Sequence, residues 1–265
     1  MLLEAKGVSK AFGSFFAVRN ADLTVAEGEI IGLIGPNGAG KSTFFNCLAG
    51  DTLPTSGTVS FDGVNLTGTT PDIHARAGIG RTFQVPATFE DMTVLENVVV
   101  GAYLRHPHRN DARRKALEVL EITGLARLAD QRARVLGTPG RKRLEIARVL
   151  ALEPRLMLLD EALAGLTPGE VQRAVELLRR IHGMGITLVI VEHIMEVIMT
   201  LAQRLIVFNQ GHVIAHGKPE DVVKDEGVIQ AYLGRNHGKR RSGAGKHQSG
   251  AGKNESGAGK HGSGA

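Results

Sequence analysis

The 265-residue sequence has few of the residue types that cross-link a fold or stack on nucleic-acid bases: no tryptophan, two tyrosines and one cysteine. A single cysteine, Cys47, cannot form an internal disulfide, so we expect a reducing, cytoplasmic compartment and a buried, unreactive thiol. The longest apolar run, residues 186–191, has the length of a strand, whereas a membrane-spanning helix needs about 20 residues. The opening residues, MLLEAK, lack the basic and apolar stretches of a secretory signal.

The net charge of +5 is not spread over the chain. Residues 236–265 hold six Lys or Arg and one acid, which leaves 26 basic and 26 acidic residues in the rest. A formally neutral body with no tryptophan and two tyrosines lacks an obvious base-stacking platform. We therefore expect no nucleic-acid partner.

The same last 30 residues differ from the rest in composition. The segment SGAGK recurs with a period of seven from Ser242 onward, and no Val, Leu, Ile or aromatic residue interrupts it. Such a segment cannot bury enough apolar surface to offset the entropy lost on ordering. We predict a domain over residues 1–235 and a low-complexity, basic, disordered tail over residues 236–265.

Within the predicted domain, strands and helices alternate, which indicates an α/β fold. Short apolar runs without alternation predict buried strands at residues 28–34, 156–159 and 186–191. Apolar residues at helical spacing predict a helix over residues 168–182. We expect a mostly parallel core sheet, with an antiparallel accessory sheet from residues 2–25 and 57–66 and a helical lobe over about residues 88–150.

One motif points directly to chemistry. The segment GPNGAGKST matches the G-x-x-x-x-G-K-[ST] phosphate-binding loop and lies between a predicted strand and the predicted helix 41–48. Glycines let the backbone turn its N–H groups toward phosphate oxygens, and the helix N-terminus adds the positive end of its dipole. Lysine would reach the terminal phosphates, and serine would offer its hydroxyl to Mg²⁺. The predicted nucleotide-binding residues are Gly35, Pro36, Asn37, Gly38, Ala39, Gly40, Lys41, Ser42 and Thr43.

A second motif supplies carboxylates. The apolar strand LMLL is followed by Asp160 and Glu161 at the carboxyl end, where ligands sit in open α/β sheets. Asp160 would hold Mg²⁺, directly or through water, and Glu161 could polarise the attacking water. An apolar strand ending in two acids is common in proteins and by itself indicates little. It becomes a strong signal here because it follows a phosphate loop in the chain. We expect ATP and Mg²⁺ as the cofactors.

With these two motifs in order, residues 2 to about 235 resemble the ATP-binding proteins of the ABC transporter family. The resemblance implies that Phe12 stacks on the adenine ring, although a core phenylalanine would look the same. It implies that Gln84 senses Mg²⁺ and water and links to a membrane subunit, and that His193 contacts the γ-phosphate. Residues 164–167, AGLT, match the family's dimer-contact loop.

A narrower resemblance is to the ATP-binding subunits of branched-chain amino acid importers. The segments that match include FFNCLAG after the phosphate loop, RTFQ, MTVLENV, LEIAR, EHIM, NQG and AYLG. It implies an ATPase at the cytoplasmic face of the plasma membrane with a second ATPase subunit, two transmembrane permease subunits and, indirectly, an extracytoplasmic solute-binding protein. Transporters of amides and urea belong to the same group, so the solute stays open.

Two other classes fit less well. A soluble ABC ATPase of DNA repair or translation usually carries a coiled-coil insertion or two tandem domains. A small-molecule P-loop kinase would leave Gln84, His193 and the segment LEIAR unexplained.

One segment departs from the family pattern. The signature, Leu-Ser-Gly-Gly-Gln or Ser-Tyr-Gly-Gln in this subgroup, is replaced by LGTPGRKR at residues 136–143. Gly137 stands at the serine position, and Pro139, which has no N–H donor, stands where a glycine N–H would face phosphate. A shift of one residue could bring Thr138 and Gly140 into these roles, so Gly137, Thr138 and Gly140 are the candidates.

Because the family's signature completes the ATP site of the other subunit, we expect the altered segment to affect the partner's site. The resulting hypothesis is a heterodimer with unequal sites. Two smaller departures are Ala162, usually proline, and Thr167, where aspartate is common.

Overall fold

The computed structural model describes residues 1–84 and 87–232 and has ten strands and eight α-helices within the described elements. The predicted boundary at residue 235 and the predicted tail lie outside the described residues. The strands are β1 Leu3–Phe12, β2 Phe15–Val25, β3 Ile30–Ile34, β4 Ser56–Phe61, β5 Val64–Asn65, β6 Ile79–Arg81, β7 Leu156–Asp160, β8 Thr187–Val191, β9 Arg204–Asn209 and β10 His212–Gly217. The helices are α1 Lys41–Leu48, α2 Pro71–Ala77, α3 Val94–Ala102, α4 Arg109–Thr123, α5 Thr138–Leu150, α6 Pro168–Gly183, α7 Met195–Leu201 and α8 Pro219–Val222.

The core sheet has six strands in the order β10-β9-β3-β8-β7-β6. Every pair from β9 to β6 is parallel, and only the edge strand β10 runs antiparallel. Strand β3 is buried on both faces, with Ile31 and Leu33 in one apolar cluster and Ile30 and Ile34 in the other. Two covered faces explain why its sequence is continuously apolar. The prediction of a mostly parallel core sheet is confirmed.

The predicted antiparallel accessory sheet is also confirmed, with the order β2-β1-β4-β5. Its inward residues share an apolar cluster with α1 and one face of the core sheet. Phe44 and Phe45 of α1 are fully buried there, and the Phe44 ring lies 5.2 Å from that of Phe208. Helix α1 is thereby held between the two sheets. Cys47 is 2% exposed on the same helix, and burial raises the pKa of its thiol to about 11.

The helices α3, α4 and α5 pack on one another within the region predicted as helical. Their apolar residues belong to the same cluster as the second face of the core sheet. Helix α3 opens with a complete capping box, in which the Thr93 side chain accepts from the Glu96 N–H and the Glu96 carboxylate accepts from the Thr93 N–H. A continuous core ties this helical layer to strand β7, which ends in Asp160, and to strand β8, which ends two residues before His193.

Predicted and observed elements differ mainly at their ends. The first core strand starts at Ile30 and not at residue 28, and β7 runs one residue further than predicted, through Asp160. The three-residue strand β6 was not predicted, because a run of that length has no detectable periodicity. In the described part of the chain, no helix combines the length and apolar character that crossing a membrane requires.

Candidate nucleotide site

The phosphate loop connects β3 to α1 and depends on glycines for its shape. Gly35, Gly38 and Gly40 have φ angles of 147°, 77° and 105°, in the region that favours glycine. A Cβ on Gly35 would lie 2.2 Å from the Phe208 carbonyl oxygen, and one on Gly40 would lie 2.3 Å from that of Ala17. No other residue type fits these two positions without displacing backbone. The backbone of the neighbouring strands therefore restricts these two loop positions to glycine.

Lys41, the first residue of α1, reaches back into this loop. Its side chain is buried, and Nζ donates to the carbonyl oxygens of Gly35 at 2.7 Å and Pro36 at 3.1 Å. A buried cation held by two loop carbonyls is suited to bind phosphate oxygens, which are stronger acceptors than the carbonyls. Of the other predicted loop residues, Asn37, Gly38 and Ser42 are exposed, Pro36, Gly40 and Thr43 are half-buried, and Ala39 is buried.

The candidate metal ligands meet in one open cleft beside the loop. Ser42, Gln84 and Asp160 all line it, together with Asn46, Arg81, Phe83 and Ala87. Asp160 is 4% exposed, and its Oδ2 lies 3.6 Å from Arg81 Nη2. Its Oδ1 is buried without a hydrogen-bond partner among the described residues.

Burial raises the pKa of the Asp160 carboxyl, while the Arg81 guanidinium opposes that shift. A buried, unpartnered carboxylate oxygen next to hydroxyl and amide oxygens suits Mg²⁺, which takes few protein ligands and completes its shell with water and substrate phosphates. Within residues 1–84 and 87–232, no group of three or more His, Cys, Asp or Glu forms a metal cage. The residues present fit a magnesium ion that arrives with a nucleotide.

The three candidate catalytic residues lie together at the carboxyl ends of neighbouring strands. Glu161 Oε1 accepts a hydrogen bond from His193 Nε2 at 2.9 Å, and Oε2 accepts one from Gln84 Nε2 at 3.0 Å. These residues follow β7, β8 and β6, which are adjacent in the sheet. Each carboxylate oxygen of Glu161 is therefore held by a hydrogen bond from a residue after a neighbouring strand. The carboxylate lies beside the metal cleft.

Phe12 lies at the end of β1, on the antiparallel sheet, and is 55% exposed. Lys10 Nζ sits 5.0 Å from its ring centroid. Phe12 is not a core residue, because more than half of its side chain remains accessible. An exposed aromatic face of this kind can stack on a purine base.

The altered signature segment forms the start of α5. Gly137 is the N-terminal cap and Thr138 the first helical residue, and both are exposed. Pro139 occupies the first turn. Gly140 is buried, and a Cβ there would lie 3.2 Å from the Leu136 Cβ. Two of the three candidate residues reach the surface, and the third packs inward.

Sequence reasoning missed three charged side chains at the site. All three entered only as parts of quoted segments: Arg81 and Glu192 in segments that match the family, and Lys142 in the altered signature. Arg81 donates to Asn46 at 2.9 Å, contacts Asp51 and Asp160, and stacks on the Phe83 ring. Glu192 and Lys142 are buried beside Glu161. Charged residues are rarely buried, so nothing in the local sequence marks them.

Comparison with known proteins agrees with this geometry. The ABC transporter family matches residues 18–164, and the branched-chain amino acid ATP-binding cassette transporter family matches residues 212–238. The LivG branched-chain amino acid transport ATP-binding protein of Salmonella typhimurium is 39% identical over 88% of this chain and 98% of its own length. The BraF counterpart of Pseudomonas aeruginosa is 36% identical over the same shares of each chain.

Solved structures give the same result. A nucleotide-free ATP-binding cassette from an ABC transporter superposes with a TM-score of 0.81 at 30% identity, over 87% of this chain and 98% of that one. An ATP-binding cassette in its ADP conformation superposes with a TM-score of 0.80 at 30% sequence identity. The match covers 88% of this chain and 98% of that one. The resemblance to importer ATP-binding subunits is confirmed, and the chain belongs to the ABC transporter family of ATP-binding cassettes.

Proposed function

We propose that this chain is the ATP-hydrolysing subunit of an ABC importer for branched-chain amino acids or related amino acids and amides. The observation that carries the proposal is the placement of Glu161, whose carboxylate is held by Gln84 and His193 beside the phosphate loop and the metal cleft. A carboxylate fixed there can accept a proton from water that attacks a terminal phosphate. The reaction is the hydrolysis of ATP to ADP and phosphate.

Each part of the site has a role in that reaction. The loop N–H groups and Lys41 bind the β- and γ-phosphates, and Phe12 stacks on the adenine. Ser42, Asp160 and Gln84 would hold Mg²⁺, which would supply positive charge to offset that of the phosphates. His193 orients Glu161 and lies where it can contact the γ-phosphate. Gly137 and Thr138 serve the nucleotide of a second ATPase subunit.

The chain acts at the cytoplasmic face of the plasma membrane with two permease subunits, a second ATPase subunit and, indirectly, a solute-binding protein. Exposed apolar side chains support a permease contact: Phe83 and Val100 line a cleft of about 250 Å³ beside Gln84, and Phe89 and Tyr103 are also exposed. Such a patch marks an interaction site. The relatives LivG and BraF, which are branched-chain amino acid transport ATP-binding proteins, support the amino-acid solute.

The first test is Mg-ATP hydrolysis by the purified chain over a range of protein concentrations, with Glu161→Gln as the variant. Loss of the general base should lower kcat by about 10²- to 10⁴-fold while ATP binding persists. A rate that rises more than linearly with concentration would indicate that two copies assemble into working sites. Failure to bind ATP would contradict the proposal, as would a Glu161→Gln variant with unchanged kcat.

The solute is tested separately in cells. Deleting the coding sequence should abolish high-affinity uptake of radiolabelled leucine, and re-expression of the unmodified chain, but not of Glu161→Gln, should restore it. If urea uptake is lost and leucine uptake remains, the solute assignment is wrong while the ATPase assignment stands.

A further inference from the structure

Beneath the catalytic residues, the carboxylate of Glu192 is buried and binds two chain segments. It is 2% exposed, and its Oε1 accepts from the Leu163 N–H at 2.8 Å, while Oε2 accepts from the His193 N–H at 3.2 Å. Leu163 follows Glu161 by two residues. One side chain therefore joins the segment that carries the carboxylate base to the segment that carries its histidine partner.

A buried cation from another element completes this arrangement. Lys142 lies in the second turn of α5, is 7% exposed, and donates from Nζ to the Glu161 carbonyl oxygen at 2.9 Å. Burial lowers the pKa of Lys142, and the Glu192, Glu145 and Glu161 carboxylates oppose that shift. Burial likewise raises the pKa of Glu192. The Lys142 ammonium and the Glu192 carboxylate attract each other in this buried region, so removing one charge weakens the stabilisation of the other.

The backbone of Glu161, whose carbonyl oxygen Lys142 contacts, has an unusual conformation. Glu161 has φ 48°, in the left-handed region, where a non-glycine residue is strained and persists only when its surroundings impose it. Its N–H donates to the Val191 carbonyl at 2.9 Å, and its carbonyl accepts from Lys142. The strained backbone directs the side chain toward His193 and Gln84. The contacts on both backbone groups hold that geometry.

From these contacts we infer that Lys142 and Glu192 are a positioning pair that holds Glu161 against His193 and ties the start of α5 to the hydrolytic carboxylate. The inference rests on the proposed function. Neither residue reaches the nucleotide in this role. Because α5 begins at the signature segment, a shift of its first turns is transmitted through Lys142 to the backbone of Glu161, so each chain's hydrolysis depends on the segment that it presents to its partner.

The test compares Lys142→Met and Lys142→Arg in the full chain by steady-state hydrolysis, with Lys224→Met as an exposed matched control. Misplacing a catalytic group by about 1 Å can cost about 100-fold in rate. We expect Lys142→Met to lower kcat about 10- to 100-fold with KM for ATP changed less than about twofold. Lys142→Arg keeps a donor and should recover most of the rate, and Lys224→Met should match the unmodified chain.

A second readout does not depend on turnover. The His193 imidazole resonances, assigned with His193→Ala, should shift in Lys142→Met and in Glu192→Gln, because the Glu161 contact is lost. Unchanged kcat together with unchanged His193 resonances overturns the inference. A parallel loss of ATP affinity and thermal stability, without recovery by Lys142→Arg, also overturns it and leaves a purely structural role. If the unmodified chain does not bind ATP, the proposed function fails; if it binds ATP without hydrolysing it, a second ATPase subunit is required, and in either case the His193 resonances still decide the inference.

Discussion

Two helices of this chain begin at segments that the ABC family uses for phosphate, and they begin differently. Helix α1 is preceded by Gly40 in a left-handed conformation, φ 105°. Helix α5 is preceded by Gly137 at φ −67° and ψ 173°, extended backbone that any residue adopts, and has Pro139 in its first turn. Proline starts helices well because a first-turn N–H has no intrahelical partner, yet it removes that donor from any ligand.

The difference predicts that this chain keeps its own phosphate loop intact while altering the segment that the family presents to a second subunit. At α1 the strands around the loop exclude any side chain on Gly35 and Gly40. At α5 the candidates Gly137 and Thr138 are exposed, whereas Gly140 is buried against Leu136. The heterodimer with unequal sites stays a prediction, and the following experiments test the contrast between the two helix starts.

The largest effect is expected at α1. Lys41→Met removes charge-assisted hydrogen bonds to phosphate, each worth about 1.5–3 kcal/mol, so the Kd for ATP should rise about 10- to 100-fold. Titration with a fluorescent ATP analogue measures this change. Lys224→Met is the matched control, since Lys224 is exposed. An unchanged Kd for Lys41→Met would contradict the assignment of the loop as the nucleotide site.

An intermediate effect is expected at α5. Pro139→Gly restores an N–H at the first turn, and one hydrogen bond is worth about 0.5–1.5 kcal/mol, so hydrolysis by the self-associated chain should rise about 2- to 10-fold. ATP binding to the isolated chain should not change. Pro71→Gly, at the start of α2, makes the same replacement at an unrelated helix and should leave the rate unaltered. If both variants behave alike, the departure at residue 139 has no bearing on the partner's site.

The smallest effect concerns how α1 ends. His74 is buried, with Nδ1 3.1 Å from the carbonyl oxygen of Leu48, the last residue of α1, and Nε2 3.2 Å from that of Leu66. Burial lowers the pKa of His74, although both carbonyls and Asp51 oppose the shift. The unfolded state therefore binds a proton more readily than the folded state. The stability from a neutral His74 is complete above the unfolded pKa of about 6.5 and is lost as pH falls through the lower folded value.

The free energy of unfolding should accordingly fall between pH 7.5 and pH 5, by at most about 1.4 kcal/mol per pH unit for one proton. Urea titrations at several pH values measure the slope, which His74→Gln should flatten and the exposed-site variant His212→Gln should not. Hydrogen exchange should show the end of α1 losing protection at pH 5 before α5 does. Equal loss in both helices would place the pH sensitivity elsewhere.

Much of the fold could be predicted because its signals are local. Helix α1 has its predicted bounds, and the buried strands appear as continuous apolar runs, since a strand covered on both faces has no polar side to show. Strand β6 escaped prediction because three residues carry no period. Its neighbour in the sheet, β7, carries Asp160, so the position of Gln84 beside Glu161 depended on a strand that the sequence did not reveal.

The candidate site likewise has one part that local sequence signals predict and one part that they do not. Glycine, lysine and hydroxyl at fixed spacing identify the phosphate loop, because backbone geometry and phosphate chemistry allow few alternatives. By contrast, the hydrogen-bond partners of the Glu161 carboxylate are Gln84 and His193, which lie 77 and 32 residues away in sequence. Which atoms meet across such separations depends on strand order and register.

The sequence by itself therefore determined the phosphate loop, the Asp160–Glu161 pair and the α/β class, each through a short pattern with a physical requirement behind it. Only the tertiary structure decided that Lys142 and Glu192 lie buried beneath Glu161 and that Gly140 packs inward. Burial of a charge is a property of everything that surrounds it. No local pattern encodes those surroundings, because helix α5 and strands β7 and β8 supply them from separate parts of the chain.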